Sequence, residues 1–79
     1  MSKRELLSTQ NSHLNDVNFR LSNKIKKLKS KLLYIESIAS IWSVKDRIHK
    51  LEHRILMNEQ QVRFNLMVML NAGSNVSND

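Results

Sequence analysis

The chain has 79 residues, no cysteine, no proline and a single glycine, Gly73. A chain this short holds one domain with a thin core, and it has no disulfide to reinforce that core, so we expect it to depend on partner chains. Residues 1–42 hold eight Lys/Arg and three Asp/Glu, whereas residues 43–79 hold five and four, so the net charge of +6 is concentrated in the first half.

Hydrophobic segments long enough for targeting or insertion are missing from the sequence. The longest apolar run, residues 66–70, is far shorter than a signal peptide core or a membrane span. The lack of cysteine fits a reducing compartment. We therefore predict an intracellular protein, cytoplasmic or nuclear, without a transmembrane segment and not secreted by a conventional signal.

The first predicted helix begins at about Lys3, because Ser2 and Glu5 have the spacing of a capping box. An apolar residue then recurs every seven positions, with further apolar residues between these rungs. This spacing is typical of a helix that packs against another helix. The rungs are Leu7, Leu14, Leu21, Leu28, Ile35 and Trp42, and the intervening residues are Val17, Ile25 and Leu32.

Two asparagines, Asn11 and Asn18, fall at alternate positions of this pattern where an apolar residue is expected. A buried asparagine lowers the stability of such a seam but fixes its register, because a misaligned partner leaves the amide unpaired. In the alternative interpretation Val17 takes the seam position and Asn18 is solvated. The sequence leaves both interpretations open.

A second apolar stripe predicts a second helix that faces the first. The stripe consists of Val44, Ile48, Leu51, Ile55, Val62, Leu66 and Met69. In one continuous helix it would lie roughly 145° around the axis from the first stripe, so the two halves would face opposite sides. A turn removes this conflict, and Ser43 with Asp46 forms a capping box where the second helix would begin.

These patterns predict an all-α protein, an antiparallel two-helix hairpin that associates into a helical bundle or coiled coil. One long continuous coiled-coil helix is the alternative. The predicted domain covers residues 1–72, with helix 1 over about 3–38, a turn at about 39–42 and helix 2 over about 43–71. Gly73 should end helix 2 and leave residues 73–79 as a disordered polar tail.

Two sets of apolar residues are predicted to make helix contacts. The helix-packing seam consists of Leu7, Leu14, Leu21, Leu28, Leu32, Ile35, Val44, Ile48, Leu51, Ile55 and Val62. Helix 2 is also apolar on its other faces, and a two-helix hairpin cannot bury both sides of one arm. The residues predicted to bind a partner are Trp42, Leu56, Phe64, Met67 and Leu70.

A block of lysines gives helix 1 a strongly basic face. It consists of Lys24, Lys26, Lys27, Lys29 and Lys31. These side chains could contact nucleic-acid phosphates or another acidic partner, although no helix-turn-helix and no interleaved aromatic residues accompany them. A solvated helix face is the simpler interpretation. A basic amphipathic helix is also compatible with a membrane surface or with the groove of a helix-binding protein.

One pattern in the chain suggests metal chemistry, but weakly. His49, Glu52 and His53 match H-x-x-E-H, in which both histidines share one helix face and could bind zinc. A third ligand and a substrate cleft are missing, and no phosphate-binding loop or nucleophile motif occurs. We therefore expect no catalytic residue, no cofactor and no metal.

The predicted function is that of a non-enzymatic protein–protein interaction subunit, with a scaffold, chaperone or adaptor role in a multi-subunit assembly. Its partner would be a second copy of the chain or the helices of another subunit. A small basic nucleic-acid-binding protein that uses the lysine-rich face of helix 1 is the alternative.

Overall fold

The computed structural model describes the backbone of residues 2–76 and the side chains of residues 2–71. Helix α1 spans Lys3–Leu32 and helix α2 spans Ile38–Val76. The two helices run antiparallel and pack against each other in a rod of 64 × 15 × 14 Å. The predicted all-α hairpin is therefore confirmed, and the continuous-helix alternative is wrong.

Helix α1 begins where the capping pattern predicts. The backbone of Ser2 is extended, with φ −74° and ψ 159°, and its Oγ accepts a hydrogen bond from the backbone N–H of Glu5 at 3.2 Å. The first four N–H groups of a helix have no partner within the helix, and this bond satisfies one of them.

Helix α1 ends at Leu32, and the turn occupies residues 33–37 rather than the predicted 39–42. The N–H of Leu33 donates to the carbonyl of Ser30 at 3.2 Å, and the N–H of Tyr34 donates to the carbonyl of Lys31 at 3.0 Å. Such bonds over three residues tighten the last turn of a helix. Among the described residues no φ is positive, so the chain reverses without needing glycine.

Helix α2 begins at a serine other than the predicted one. The Oγ of Ser37 accepts from the N–H of Ser40 at 3.5 Å, and the Ser37 carbonyl accepts from the N–H of Ile41 at 3.0 Å. Ser43, the predicted cap, lies inside α2 and is exposed. The predicted helix 2 boundary was therefore wrong at its start.

The position of the turn follows from the spacing of the inward-facing residues, which we call the seam. Seam residues of α1 and the turn are Leu7, Asn11, Leu14, Asn18, Leu21, Ile25, Leu28, Leu32 and Ile35, and those of α2 are Ile41, Val44, Ile48, Leu51, Ile55, Asn58, Val62, Asn65 and Met69. Both series alternate steps of three and four residues, as helix-packing seams do. Ile41 takes the inward position while Trp42 is 70% exposed, and α2 begins before both of them, at Ile38.

All eleven residues predicted for the seam lie on this inner face, where Leu21, Leu28 and Ile48 are buried and the other eight are half-buried. Leu66, which the second stripe also included, is instead 47% exposed, and Asn65 takes the inward position. The core cluster lies in the half of the rod next to the turn. It contains Ile25, Leu28 and Ile48, with Leu32, Val44, Leu51 and Ile55 packed against them.

The end of α2 extends beyond the predicted boundary. The helix continues to Val76, so Gly73 does not end it and residues 73–76 are helical rather than part of a tail. A glycine inside a helix costs roughly 1 kcal/mol relative to alanine, which weakens a helix without terminating it. Residues 77–79 of the predicted tail lie outside the described residues.

The register of the hairpin predicts that positions 7 and 69 are closer together than positions 7 and 41. A continuous helix would give the opposite order. Spin labels at positions 7 and 69 should lie within about 20 Å, because antiparallel helix axes are 8–10 Å apart. Labels at positions 7 and 41 should lie about 40 Å apart, at opposite ends of the rod. Double electron–electron resonance measures both distances. A continuous helix would give about 90 Å and about 50 Å instead.

Candidate interaction surfaces

Two layers of asparagines join the helices in the half of the rod away from the turn. In the first layer the Nδ2 of Asn65 donates to Asn11 Oδ1 at 2.9 Å and to Gln10 Oε1 at 2.6 Å, while Asn65 Oδ1 accepts from Gln61 Nε2 at 2.9 Å. Asn11 Nδ2 completes the layer by donating to the Val62 carbonyl at 3.4 Å. Asn65 is 1% exposed and Asn11 is 8% exposed.

The second asparagine layer lies one heptad nearer the turn. Asn58 Nδ2 donates to Asn18 Oδ1 at 2.9 Å, and Asn18 Nδ2 donates to the Ile55 carbonyl at 3.4 Å. Asn18 therefore belongs to the seam, and the interpretation in which it is solvated is wrong. Within the described residues every buried side-chain N or O atom has a hydrogen-bond partner. The layers thus fix the register of the hairpin and are internal to it.

The outer face of α2 exposes four large apolar side chains in the hairpin. We define the outer α2 face as Leu56, Phe64, Met67 and Leu70, which are 46%, 61%, 63% and 70% exposed. These four residues belong to the set predicted to bind a partner. The fifth, Trp42, is also exposed but lies at the turn end of the rod, about 20 Å along the helix from Leu56.

A groove between the helices gathers six basic side chains near the turn. We define the basic groove as Lys24, Lys27, Lys31, Arg47, Lys50 and Arg54, which surround the seam residues Leu28 and Leu51. No acidic residue lines it. Like charges that face each other across a narrow groove repel, so a bound anion would lower the energy of this arrangement.

The basic groove contains only part of the predicted lysine block. Lys26 and Lys29 are exposed outside it. Its three α2 members, Arg47, Lys50 and Arg54, were not predicted from the sequence, although their spacing repeats that of Lys24, Lys27 and Lys31. Among residues 2–71 the only ion pair joins Lys50 Nζ to Asp46 Oδ2 at 3.0 Å, and both side chains are well exposed. An exposed pair of this kind contributes little.

The turn end of the rod carries a second apolar surface. We define the apolar tip as Leu33, Tyr34, Ile38 and Trp42, which are 80%, 83%, 73% and 70% exposed. Turns normally use glycine, asparagine, aspartate or serine. Two aromatic and two aliphatic side chains are therefore exposed at a position where polar residues are usual.

The residues of the histidine pattern lie near one another on the surface of α2. His49, Glu52 and His53 line a shallow surface groove together with Leu56. In the part of the chain that the structure describes, no three side chains of the metal-binding types are placed to hold an ion. We assign no metal to these residues.

Comparisons with protein-family models, with curated proteins and with solved structures found no match to this chain. Neither helix, over the residues described, combines the length and the hydrophobicity that crossing a membrane requires. The surfaces that the hairpin offers to other molecules are the outer α2 face, the basic groove and the apolar tip.

Proposed function

We propose that the protein is a non-enzymatic interaction subunit that binds helices of another chain through the outer α2 face. One observation carries this proposal: among residues 2–71 the hairpin buries only four apolar side chains, whereas twelve large hydrophobic residues are at least 46% exposed. Proteins that remain monomeric in water rarely expose large contiguous apolar patches. A helix that is apolar on both sides is normally covered on both sides.

The geometry of the outer α2 face suits another helix. Phe64, Met67 and Leu70 follow each other at three-residue steps, so they form one ridge along α2. A second hairpin that packs against this ridge would complete a four-helix bundle. A scaffold or adaptor role within an assembly follows, with either a second copy of the chain or another subunit as the partner.

The proposal predicts that association and folding can be separated. Changing Phe64 and Met67 together to serine should leave the helical circular dichroism signal intact, because both side chains are more than 60% exposed. The affinity for the partner helices should fall about 30-fold or more, since a large apolar anchor at an interface is often worth about 2 kcal/mol. Sedimentation equilibrium over a range of concentrations measures this change.

A matched control is available on α1. Phe19 and Leu6 are 68% and 55% exposed, so changing both to serine removes similar apolar surface from the other helix. This variant should assemble like the wild type. If the α2 variant keeps the wild-type mass and affinity, the outer α2 face is not the interface. A folded wild-type chain that is always monomeric would exclude self-association and leave another subunit as the partner.

Nucleic-acid binding is the second candidate function, and the basic groove supports it. Six cations line the groove, and only Lys50 among them forms an ion pair, so the groove suits phosphate groups. No aromatic residue lines the groove, so base stacking there is missing and binding would be to the phosphate backbone rather than to a sequence.

A further inference from the structure

We infer that the turn end of the hairpin docks on an anionic lipid surface. In this arrangement the apolar tip enters the membrane interface, and the anionic lipid phosphates attract the cations of the basic groove. The inference goes beyond the proposed binding of partner helices. It uses none of the residues of the outer α2 face, so either proposal can fail without the other.

The apolar tip supplies the first line of evidence. Leu33 and Tyr34 lie in the turn, and Ile38 and Trp42 lie at the start of α2, so all four share one end of the rod. All four are at least 70% exposed. Tyrosine and tryptophan favour the membrane–water interface because each combines an apolar ring with a polar group. Leucine and isoleucine favour the acyl chains beneath it.

The distribution of charge supplies the second line of evidence. Residues 24–54 contain nine Lys/Arg and three Asp/Glu, while the rest of the chain contains four of each, so this segment carries the entire net charge of +6. By the helix rise, Lys50 and Arg54 lie about 20 and 25 Å from the turn, whereas Lys24, Lys27, Lys31 and Arg47 lie within about 15 Å of it. Anionic lipid surfaces attract basic segments over such short distances, within about one or two Debye lengths.

A lipid surface accounts for both the apolar tip and the basic groove better than the other anionic partners, an acidic helix or a nucleic acid, do. An acidic helix bound along the basic groove would leave the apolar tip uncovered, because none of the four tip residues lines the groove. Nucleic-acid bases stack on aromatic rings, which leaves Leu33 and Ile38 without a role. A bilayer with anionic headgroups accepts the aliphatic, aromatic and cationic side chains together, and it does so without a helix that crosses it.

Trp42 provides a direct test, because it is the only tryptophan in the chain and belongs to the apolar tip. The full chain is mixed with vesicles of phosphatidylcholine alone or of phosphatidylcholine with phosphatidylserine. We expect co-sedimentation with the phosphatidylserine vesicles only. Trp42 emission should shift to shorter wavelength there, and lipids with brominated acyl chains should quench it.

Charge variants test whether cations of the basic groove contribute more to vesicle binding than cations elsewhere on the chain. Changing Lys31 and Arg47 to glutamine should lower vesicle affinity about 30-fold, at about fivefold for each cation near the surface. Changing Arg20 and Arg63 to glutamine alters the net charge equally but removes exposed cations from outside the groove. That control should bind nearly as well as the wild type. All four side chains are exposed, so helical content should not change.

A variant of the apolar tip tests whether the tip enters the membrane interface or the protein only adsorbs to the membrane surface. Changing Leu33 and Ile38 to serine keeps the Trp42 probe and removes two side chains that are 80% and 73% exposed. Vesicle affinity should fall at least about tenfold, because part of each side chain no longer leaves water. The wavelength shift of Trp42 should shrink at the same time. The matched exposed control, Phe19→Ser on α1, should change neither.

Several results would overturn the inference. Equal binding to both kinds of vesicle would show that the cations are not used. An unchanged emission wavelength for bound protein would show that the tip does not enter the interface. Complete displacement from vesicles by an oligonucleotide at equal phosphate concentration would assign the basic groove to nucleic acid. Failure to bind phosphatidylserine vesicles at all would remove the lipid surface as a partner.

Discussion

Changing Leu28 to aspartate is expected to unfold the hairpin. Leu28 is 7% exposed and packs in the core cluster with Ile25 and Ile48. An unpaired charge at such a position costs several kcal/mol, and a single core of this size rarely supplies more than about 3–5 kcal/mol. Circular dichroism should show loss of most helical signal, and any association through the folded hairpin should be lost with it.

The control for this experiment is the same substitution five residues further along the chain. Leu33 is 80% exposed at the apolar tip, so Leu33→Asp should change the free energy of unfolding by no more than about 0.5 kcal/mol. The contrast isolates burial, because the chemical change is identical. A Leu28→Asp variant that remained fully helical would show that the seam does not hold the two helices together.

The second large effect is expected at the more deeply buried asparagine layer. Asn65→Leu keeps the approximate size of the side chain but removes the donor that Asn11 Oδ1 accepts from at 2.9 Å. Asn11 is 8% exposed, so water cannot easily replace that donor. A buried group without its partner costs about 1–3 kcal/mol, and urea unfolding followed by circular dichroism should show a loss of this size.

Replacing both asparagines tests whether they act as a pair. The double variant Asn11→Leu with Asn65→Leu leaves no unsatisfied amide between them and places two leucines in the seam. Its free energy of unfolding should exceed that of either single variant and equal or exceed the wild type. The coupling energy from this cycle should lie between about 0.5 and 3 kcal/mol. Simple additivity of the two substitutions would contradict direct pairing.

Much of the hairpin could be predicted because its determinants are local or periodic. The cap at Ser2 is a contact between neighbours in sequence, and the seven-residue spacing places the α1 seam on one face. The turn could not be located in this way. Ile41 and Trp42 are both apolar, so spacing by seven counted Trp42 as a rung, and only packing against α1 shows that Ile41 faces inward.

The α2 asparagines and half of the basic groove depend on pairing between distant residues. Asn58 and Asn65 lie at seam positions, but a search for apolar periodicity passes over them and selects Leu66. Their burial becomes favourable only because Asn18 and Asn11 lie opposite. The three cations of α2 likewise form a solvated face until the hairpin register brings them beside those of α1.

The placement of apolar and polar seam layers along the rod has a consequence for the order of folding. The core cluster around Ile25 and Ile48 lies beside the turn, where loop closure is short and its entropic cost is low. Pairing should therefore start there and propagate toward the chain ends. The asparagine layers are reached late, and a pairing error in them can be corrected by reopening only the distal part of the hairpin, while the core cluster stays closed.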